Sequence, residues 1–396
     1  MIEVEYWGEE NFSRLSWFSR ERVASARVMV VGAGALGNEV LKNLVLFGVE
    51  SIVIVDFDHV ETSNLCRSVL FREEDAAQRR SKVEVAAQRL RNINPKVEIE
   101  TICGDISYNV GLGLIRSMDV IISCVDSRYA RYSLCRLAFR VGVDWVDGGI
   151  DGLEGTARVF RLGENCYGCN LGESGLREMA RRLSCSVVVR ENEMRGRVAT
   201  TPVVASIIGA VQVQEAMKLL HREHLDSGRM TSLCGKMFYW EGEHLSSKVV
   251  EFKEYHDECP LHELWEDIVQ TPMGCNTLVG DFLDYMESSL GMESAKIVLS
   301  DRTFVESVVY REGSGESIEV MRPNFEVADY LTRELGMARV EMTQLYQCEH
   351  RTVGREEIFR DLTLSQVGIP AWDIVQIDCR EGRRYVELRG DEYNME

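Results

Sequence analysis

A glycine-rich stretch near the N-terminus constrains this chain more than any other feature. The β-branched run Arg27–Val31 is followed by Gly32, Gly34 and Gly37, and an amphipathic helical pattern then continues to about Gly48. Strand, G-x-G-x-x-G loop and helix start therefore come in the order of a nucleotide-binding fold. Because glycines have no Cβ, such a loop lets the backbone approach phosphate oxygens, and it directs the helix N-terminus at the anion. The sequence predicts a nucleotide site in a Rossmann-like α/β domain.

The residues after this loop narrow the chemistry of the site. A second predicted strand, Ser51–Val55, delivers Asp56 about twenty residues further on, where a ribose-hydroxyl acceptor belongs. The polar segment that follows supplies an amide and two cations, Asn64, Arg67 and Lys82. Asp126 follows an apolar strand and offers a carboxylate for magnesium. Nucleotidyl transfer is catalysed mainly by positioning and charge neutralisation, so these residues favour it over nicotinamide oxidoreduction, for which no hydride-site histidine accompanies the loop.

Four further residues form two pairs with the spacing of metal ligands. Cys166 and Cys169 make C-Y-G-C, and Cys259 and His262 make C-P-L-H about ninety residues later. Two chelating pairs suit tetrahedral zinc, and a site closed by four protein ligands is structural rather than catalytic. His256 is the rival for the fourth position. The alternative is a set of buried thiols beside a surface histidine.

Cys185 is a candidate nucleophile. It lies in the polar segment R-E-M-A-R-R-L-S-C-S, and the nearby Arg181 and Arg182 favour its thiolate form. The segment from Ala199 to Leu220 then predicts a strongly amphipathic helix, with Pro202 near its start. An exposed but inert cysteine is the alternative interpretation.

Composition sets the outer limits of these predictions. A chain of 396 residues is long enough for two or more domains. The net charge of −19 argues against a nucleic-acid partner, because binding a polyanion needs a surplus of Lys and Arg. We find neither an apolar run of membrane-spanning length nor a charged-then-apolar N-terminus, so we expect a soluble cytoplasmic protein without a membrane partner. The 12 cysteines, spread without tight pairing, are expected to be reduced thiols.

The sequence changes character beyond Leu264, and a separate C-terminal domain of α+β class is the simplest account. Val269–Gly274, with its proline and glycine, is predicted to be the linker. Helical and alternating stretches follow it without strict β-α-β repetition.

The string D-F-D-H-V-E-T-S-N-L-C-R, with the glycine loop before it and D-V-I-I-S-C-V-D after it, resembles the adenylation domain of ubiquitin-activating enzymes and their bacterial ThiF/MoeB relatives. The resemblance implies a mainly parallel sheet, ATP as cosubstrate, Asp56 on the ribose and Asp126 on Mg²⁺. It places three residues at the phosphates, Asn64, Arg67 and Lys82. Arg14 matches an arginine that reaches into the partner subunit's site, so it implies a homodimer.

The sequence departs from the family pattern in three places. Ser68 replaces the glutamine usual after the arginine, and the interval from Arg67 to Lys82 is about two residues longer than usual, so that Arg79 or Arg80 is a candidate to share the role of the lysine. The family's two zinc knuckles usually have four cysteines, which makes His262 a third departure.

The resemblance also implies a domain plan. Residues 1–264 are expected to be the adenylation domain, with the catalytic-cysteine segment at about 172–200. Residues 275–396 are expected to be a β-grasp, ubiquitin-fold-like domain, because Leu364–Val375 reads L-x-x-x-G-I-P-x-x-D-I-V, similar to ubiquitin-like domains. The start of this region resembles the ubiquitin-fold domain of the activating enzyme for the Nedd8 modifier.

The function implied is ATP-dependent activation of a ubiquitin-like protein by adenylation, thioester formation on Cys185 and transfer to a conjugating enzyme. An adenylyltransferase for a sulfur-carrier protein is the main alternative, and it shares the adenylation site. A non-enzymatic scaffold subunit is disfavoured, since Arg67, Lys82 and Asp126 are all present.

Overall fold

The computed structural model describes six parts of the chain, residues 9–184, 199–252, 255–310, 317–338, 342 and 345–391. It separates into two compact units. The first comprises residues 1–107, 115–172 and 197–264, and the second comprises residues 108–114, 173–196 and 265–396. The chain therefore enters the second unit before the first is complete.

The first unit is built on one eight-stranded sheet. Its strands are β1 (Arg27–Val31), β2 (Ser51–Val55), β3 (Glu98–Ile102), β4 (Val120–Ser123), β5 (Trp145–Asp151), β6 (Glu154–Phe160), β7 (Lys236–Glu241) and β8 (Ser246–Glu251). They are ordered β3-β2-β1-β4-β5-β6-β7-β8. The pairs from β3 to β5 are parallel, and the pairs from β5 to β8 are antiparallel. The predicted mainly parallel, Rossmann-like sheet is confirmed.

Helices alternate with these strands along the chain before Trp265. They are α1 (Glu9–Phe12), α2 (Arg20–Ser25), α3 (Ala35–Phe47), α4 (Glu73–Ala77), α5 (Lys82–Ile93), α6 (Leu112–Arg116), α7 (Arg128–Val141), α8 (Gly172–Ser184), α9 (Pro202–Leu220) and α10 (Arg222–Asp226). Helix α6 crosses from the second unit into the first, and α8 from Glu173 onward belongs to the second unit. The core joins β1, β2 and β4 to the inner faces of α3, α5 and α9.

Helix α9 is a buried core helix, and the prediction of an amphipathic one is wrong. Its buried residues lie on most sides, because it packs against α3 and against strands β4, β5 and β6. With 19 residues and a mean hydropathy of 1.4, it is long and apolar enough to cross a membrane by length and composition alone. The expectation that the chain holds no such run is therefore wrong as well. Burial of 61% of this stretch explains its apolar character.

The second unit contains a mixed five-stranded sheet covered by one helix. Its strands are β9 (Val269–Thr271), β10 (Lys296–Val298), β14 (Thr352–Val353), β15 (Ile374–Cys379) and β16 (Gly382–Leu388), ordered β14-β10-β15-β16-β9. Helix α11 (Val279–Leu290) packs on the sheet, and the short helix α13 (Glu357–Arg360) adds Phe359 to the same core. The predicted α+β class is confirmed. The prediction of a linker is wrong at Val269–Thr271, because this segment pairs in parallel with β16.

A smaller module lies between β10 and β14 in the chain. It consists of β11 (Phe304–Tyr310), β12 (Ser317–Pro323), α12 (Asn324–Arg333) and β13 (Leu345–His350), with the strands ordered β12-β11-β13. Val305, Val308 and Val320 on the strands pack with Val327 and Leu331 on the helix. The module has its own apolar core, which the sequence analysis did not predict.

Residues 108–114 connect β3 towards β4 but are packed within the second unit. The Leu112 N–H donates to Asp373 Oδ1 at 2.9 Å, and the Gly113 N–H donates to the Trp372 carbonyl at 2.8 Å. A Cβ on Gly113 would lie 2.6 Å from the Trp372 oxygen, closer than carbon and oxygen approach without displacement. Val110 and Leu112 are buried. This short segment therefore belongs to the core of the second unit.

Candidate active site

The glycine loop after β1 leaves an open space in front of helix α3. Gly32 has a left-handed φ of +95°, and a Cβ there would lie 2.7 Å from the Cys124 carbonyl oxygen. A Cβ on Gly37 would lie 1.9 Å from the Gly32 oxygen, so the loop and the first turn of α3 touch through their backbones. Around Gly34, in contrast, nothing lies within 4 Å of an added Cβ, and this residue caps α3 without a side-chain hydrogen bond. The first amides of an α-helix have no intrahelical acceptors, so the start of α3 beside this open position suits a phosphate.

Asp56 lies at the end of β2, directly beside the glycine loop. Its Oδ2 accepts a hydrogen bond from the Ala33 N–H at 2.7 Å, and its Oδ1 accepts one from the Asp58 N–H at 2.8 Å. Burial raises the pKa of the Asp56 carboxyl above its ordinary value of 3.8, although the Lys82 charge and the Ala33 N–H oppose that rise. Asp56 therefore lies at the carboxyl end of β2 beside the glycine loop, and its role at the ribose stays a prediction.

The predicted phosphate residues lie on the segment that follows Asp56. Lys82 begins helix α5 with 9% of its side chain exposed, and its ammonium pairs with the largely exposed Asp58 carboxylate at 2.7 Å. Asn64 is buried and closes a local turn by accepting from the Glu61 N–H at 2.9 Å. Arg67 follows one turn later and is half-buried. Asp58 holds the lysine next to Asp56, a role that the sequence analysis missed although the D-x-D spacing was visible.

Of the two alternatives to Lys82, Arg80 already has a structural partner. Its guanidinium pairs at 2.9 Å with Asp75, whose carboxylate is fully buried, while Arg79 is exposed on a left-handed turn. The buried Asp75 needs this partner, since an unpaired carboxylate in the interior is costly. Lys82 remains the better-placed cation beside Asp56.

Two amide side chains support the loop, and the sequence analysis missed both. Asn38 is fully buried on α3; its amide donates to the Ala33 and Gly34 carbonyls at 2.8 and 2.9 Å, and its Oδ1 accepts from the Leu70 N–H at 2.8 Å. Gln212 on α9 donates to the Ser123 carbonyl at the end of β4, at 2.7 Å. A polar residue on an otherwise apolar helix face was the available signal for each.

The end of β4 carries the predicted magnesium ligand. Asp126 is exposed, and the next residue, Ser127, caps helix α7 by accepting from the Tyr129 N–H at 3.1 Å. Magnesium in nucleotide sites commonly takes one or two carboxylates together with the substrate phosphates and waters. A single exposed carboxylate near the glycine loop fits that donor set.

Two predicted site residues stand apart from these contacts. Arg14 is exposed in the turn after α1, and Cys185 lies outside the described residues, directly after α8. Their roles remain predictions.

The cysteine and histidine pairs meet in one cluster. Cys166 Sγ lies 3.6 Å from both Cys169 Sγ and Cys259 Sγ, and Cys169 Sγ lies 3.4 Å from His262 Nε2. The four donor atoms all lie within 4.8 Å of one another. Sulfur ligands about 2.3 Å from a tetrahedral zinc are about 3.8 Å apart, so the cluster needs little change to hold this metal.

His262 rather than His256 completes the cluster. Its ring stacks against Tyr255 and Phe139, with centroids 4.2 and 5.1 Å away. His256 is exposed, and its backbone carbonyl accepts from the Cys259 N–H at 3.0 Å. All cysteines in the described ranges are free thiols, as expected. Three thiols and one imidazole form a donor set that could hold a metal ion.

A complete glycine loop, an adjacent carboxylate and a cation-bearing segment define a nucleotide-binding enzyme fold. The sequence pattern of the ThiF family matches residues 3–261, well over half of the chain. The chain belongs to the ThiF family, within the ThiF/MoeB/E1-like adenylyltransferases. The match ends before Trp265, so the larger part of the second unit lies outside it.

Named relatives include activating enzymes and sulfur-carrier adenylyltransferases. The chain is 30% identical over 240 residues to the SAMP-activating enzyme E1 of Haloferax volcanii, covering 61% of this chain and 81% of that protein. It is 28% identical over 256 residues to the sulfur carrier protein ThiS adenylyltransferase of Bacillus subtilis, covering 64% and 70%. With SUMO-activating enzyme subunit 2 of Dictyostelium discoideum it shares 34% identity over 151 residues, which is 38% of this chain but 22% of that subunit.

Among solved structures, E. coli MccB has a similar fold. It aligns with a TM-score of 0.52 at 17% sequence identity, over 66% of this chain and 72% of that chain. At this identity the likeness concerns the fold alone.

Proposed function

We propose that this chain activates a ubiquitin-like protein in the cytoplasm by adenylating its C-terminal carboxylate, and that Cys185 then takes the activated protein as a thioester. Adenylation itself is the activity shared by the relatives of this family. The observation that supports the proposal is the open space at Gly34 at the start of α3, together with Asp56, which accepts from the neighbouring Ala33 N–H, and Lys82, which pairs with Asp58.

The chemistry follows from these positions. The carboxylate oxygen of the substrate attacks the α-phosphorus of ATP, the bond to the β-phosphate breaks, and pyrophosphate leaves, giving an acyl-adenylate. Arg67 and Lys82 neutralise the charge that develops on the phosphates, and Asp56 orients the ribose. Asp126 would hold Mg²⁺, which when bound supplies further charge neutralisation at the phosphate oxygens.

In the second step, the Cys185 thiolate attacks the acyl carbonyl of the adenylate. A thioester forms, the carbon–oxygen bond of the mixed anhydride breaks, and AMP leaves with its charge on a phosphate oxygen. The two preceding arginines, Arg181 and Arg182, favour the thiolate.

The rest of the chain serves this reaction. The α+β domain with α11 on its sheet is proposed to recruit a conjugating enzyme, which accepts the thioester. Arg14 is proposed to complete the site of the partner subunit in a homodimer. The Cys166–Cys169–Cys259–His262 cluster is proposed to hold structural zinc, supported by the close approach of its four donor atoms.

A second candidate function is adenylation of a sulfur-carrier protein. The similarity to the Bacillus ThiS adenylyltransferase, spread over 64% of this chain, favours it. In that reaction no conjugating enzyme is needed, and the second unit would have another role.

Intact mass under non-reducing conditions distinguishes these reactions. The enzyme is mixed with magnesium ATP and a panel of ubiquitin-like and sulfur-carrier proteins, beside Cys185→Ala. An adduct of one modifier mass that needs ATP, is released by thiol and is absent in Cys185→Ala supports activation with thioester formation. AMP release without an adduct supports the sulfur-carrier function. ATP–pyrophosphate exchange absent with every carboxyl donor of the panel would contradict adenylation.

A further inference from the structure

A buried arginine on helix α7 links three parts of the backbone near the predicted magnesium ligand. The Arg131 side chain is 12% exposed. Its Nε donates to Asp147 Oδ1 at 2.9 Å, and its Nη2 donates to the carbonyl oxygens of Val125 at 2.5 Å and Gly148 at 3.0 Å. One guanidinium therefore joins the end of β4 to β5.

Asp147 fixes the orientation of this guanidinium. Its side chain is 1% exposed, and its Oδ1 also accepts from the Ser123 hydroxyl at 3.1 Å. Its Oδ2 is buried without a hydrogen-bond partner in the described part of the chain. A buried carboxylate is costly without an opposite charge, so the Arg131 guanidinium compensates the burial of Asp147, and Asp147 in turn holds Arg131 in one position.

The Val125 carbonyl is the important acceptor, because it belongs to the same peptide unit as the N–H of Asp126. Holding this carbonyl sets the peptide plane from which the Asp126 side chain starts. On the other side, the Ser127 hydroxyl caps α7 by accepting from the Tyr129 and Ala130 N–H groups at 3.1 and 3.3 Å. Asp126 is a single residue between two fixed points, and the positive charge of Arg131 also acts on its carboxylate.

We infer that Arg131, oriented by Asp147, is a positioning residue that presents the Asp126 carboxylate to the metal–triphosphate complex. This inference rests on the proposed function, and it concerns a residue without direct contact to nucleotide. Arg131 differs from the predicted phosphate cations, since its donors are already directed at protein oxygens. Groups that orient a metal ligand commonly change metal affinity about 10–100-fold when they are replaced.

Arg131→Lys tests the inference, because lysine keeps the charge but cannot reach three acceptors in a fixed plane. Arg128→Lys is the matched control, since Arg128 lies exposed on the same first turn of α7. Binding of Mn²⁺ is measured by electron paramagnetic resonance in the presence of α,β-methylene ATP, and binding of the same analogue without metal is measured by calorimetry. Circular dichroism establishes that each variant is folded.

We expect Arg131→Lys to lower Mn²⁺ affinity about 10–100-fold and to change metal-free analogue binding less than twofold, with Arg128→Lys like wild type. Asp147→Asn keeps an acceptor oxygen but removes the charge, so it is also expected to lower the affinity for Mn²⁺. If Arg131→Lys does not fold, Asp147→Asn becomes the test variant. Unchanged Mn²⁺ affinity in folded Arg131→Lys, or equal losses with and without metal, would overturn the inference and leave the proposed function intact. A wild-type protein that binds no metal–nucleotide complex would instead overturn both.

Discussion

Two substitutions in the glycine loop are expected to separate nucleotide binding from stability. Gly34→Ser places a small side chain where nothing lies within 4 Å, at the N-cap of α3, a position that lacks a side-chain hydrogen bond. Serine is a good N-cap residue and is a few tenths of a kcal/mol, roughly, better than glycine there. The protein should therefore keep its melting temperature or gain about 1 °C.

The same serine should weaken the binding of ATP. Its hydroxyl would occupy the space in front of α3 and accept from the amides that are otherwise free for a phosphate. A hydrogen bond to a charged group contributes about 1.5–3 kcal/mol, so the loss of one corresponds to an affinity decrease of about 10- to 100-fold.

Gly37→Ala, in contrast, should destabilise the fold. Its Cβ would lie 1.9 Å from the Gly32 carbonyl oxygen. Because that oxygen belongs to the backbone and the backbone also fixes the position of the Cβ, no side-chain rotation relieves the clash. Overpacking of this kind costs about 1–3 kcal/mol or more. For a unit of this size the melting temperature should fall by about 2–12 °C.

The assay is thermal unfolding of wild type, Gly34→Ser and Gly37→Ala, combined with calorimetric titration of α,β-methylene ATP at a temperature where all three are folded. A Gly34→Ser protein that melts as early as Gly37→Ala would refute the reasoning about open space. One that binds the analogue like wild type would show that the phosphates lie elsewhere.

Three further outcomes are expected. His262→Ala should lower bound zinc, measured by inductively coupled plasma mass spectrometry, well below one per chain, while His256→Ala should retain it; equal zinc in both would contradict the ligand set. ATP affinity should rise as pH rises through the raised pKa of Asp56, since the carboxylate is the acceptor form, and Asp56→Asn should flatten this dependence in a calorimetric pH series. Gly113→Ala, with its Cβ 2.6 Å from the Trp372 oxygen, should lower the free energy of unfolding in urea by about 1–3 kcal/mol, and wild-type stability would argue against that packing.

The parts of the site that follow one another in the chain were predictable from sequence. Gly32, Gly34 and Gly37 follow a strand and precede a helix, and Asp56 ends the next strand, so local order alone positions them beside each other. The four metal-site donors were predictable because each pair has chelating spacing, although only the structure separates His262 from His256.

Residues that act through long-range packing were not predictable in this way. Gln212 reaches the end of β4 from a helix 89 positions further along the chain, and its role depends on how α9 crosses the sheet. Helix α9 is a different case, because its apolar residues already lie on several sides in the sequence, so the pattern indicates a buried helix and the amphipathic interpretation misread it.

The same limit applies to the C-terminal part. Val269–Thr271 has the proline and glycine of a linker just after it, yet it is a strand, because its partner β16 lies more than a hundred residues away. The module from β11 to β13 is an insertion between two strands of one sheet, and sequence periodicity does not reveal such nesting.

The packing of residues 108–114 limits where this protein can be truncated. A gene fragment ending near Leu264 would still encode Val110 and Leu112 but not the Asp373 and Trp372 groups that receive this segment. The fragment would therefore carry residues 108–114 as an apolar loop without its packing partners. A homologue that lacks the second unit is expected to have polar residues in this loop. The apolar loop and the second unit should therefore occur together.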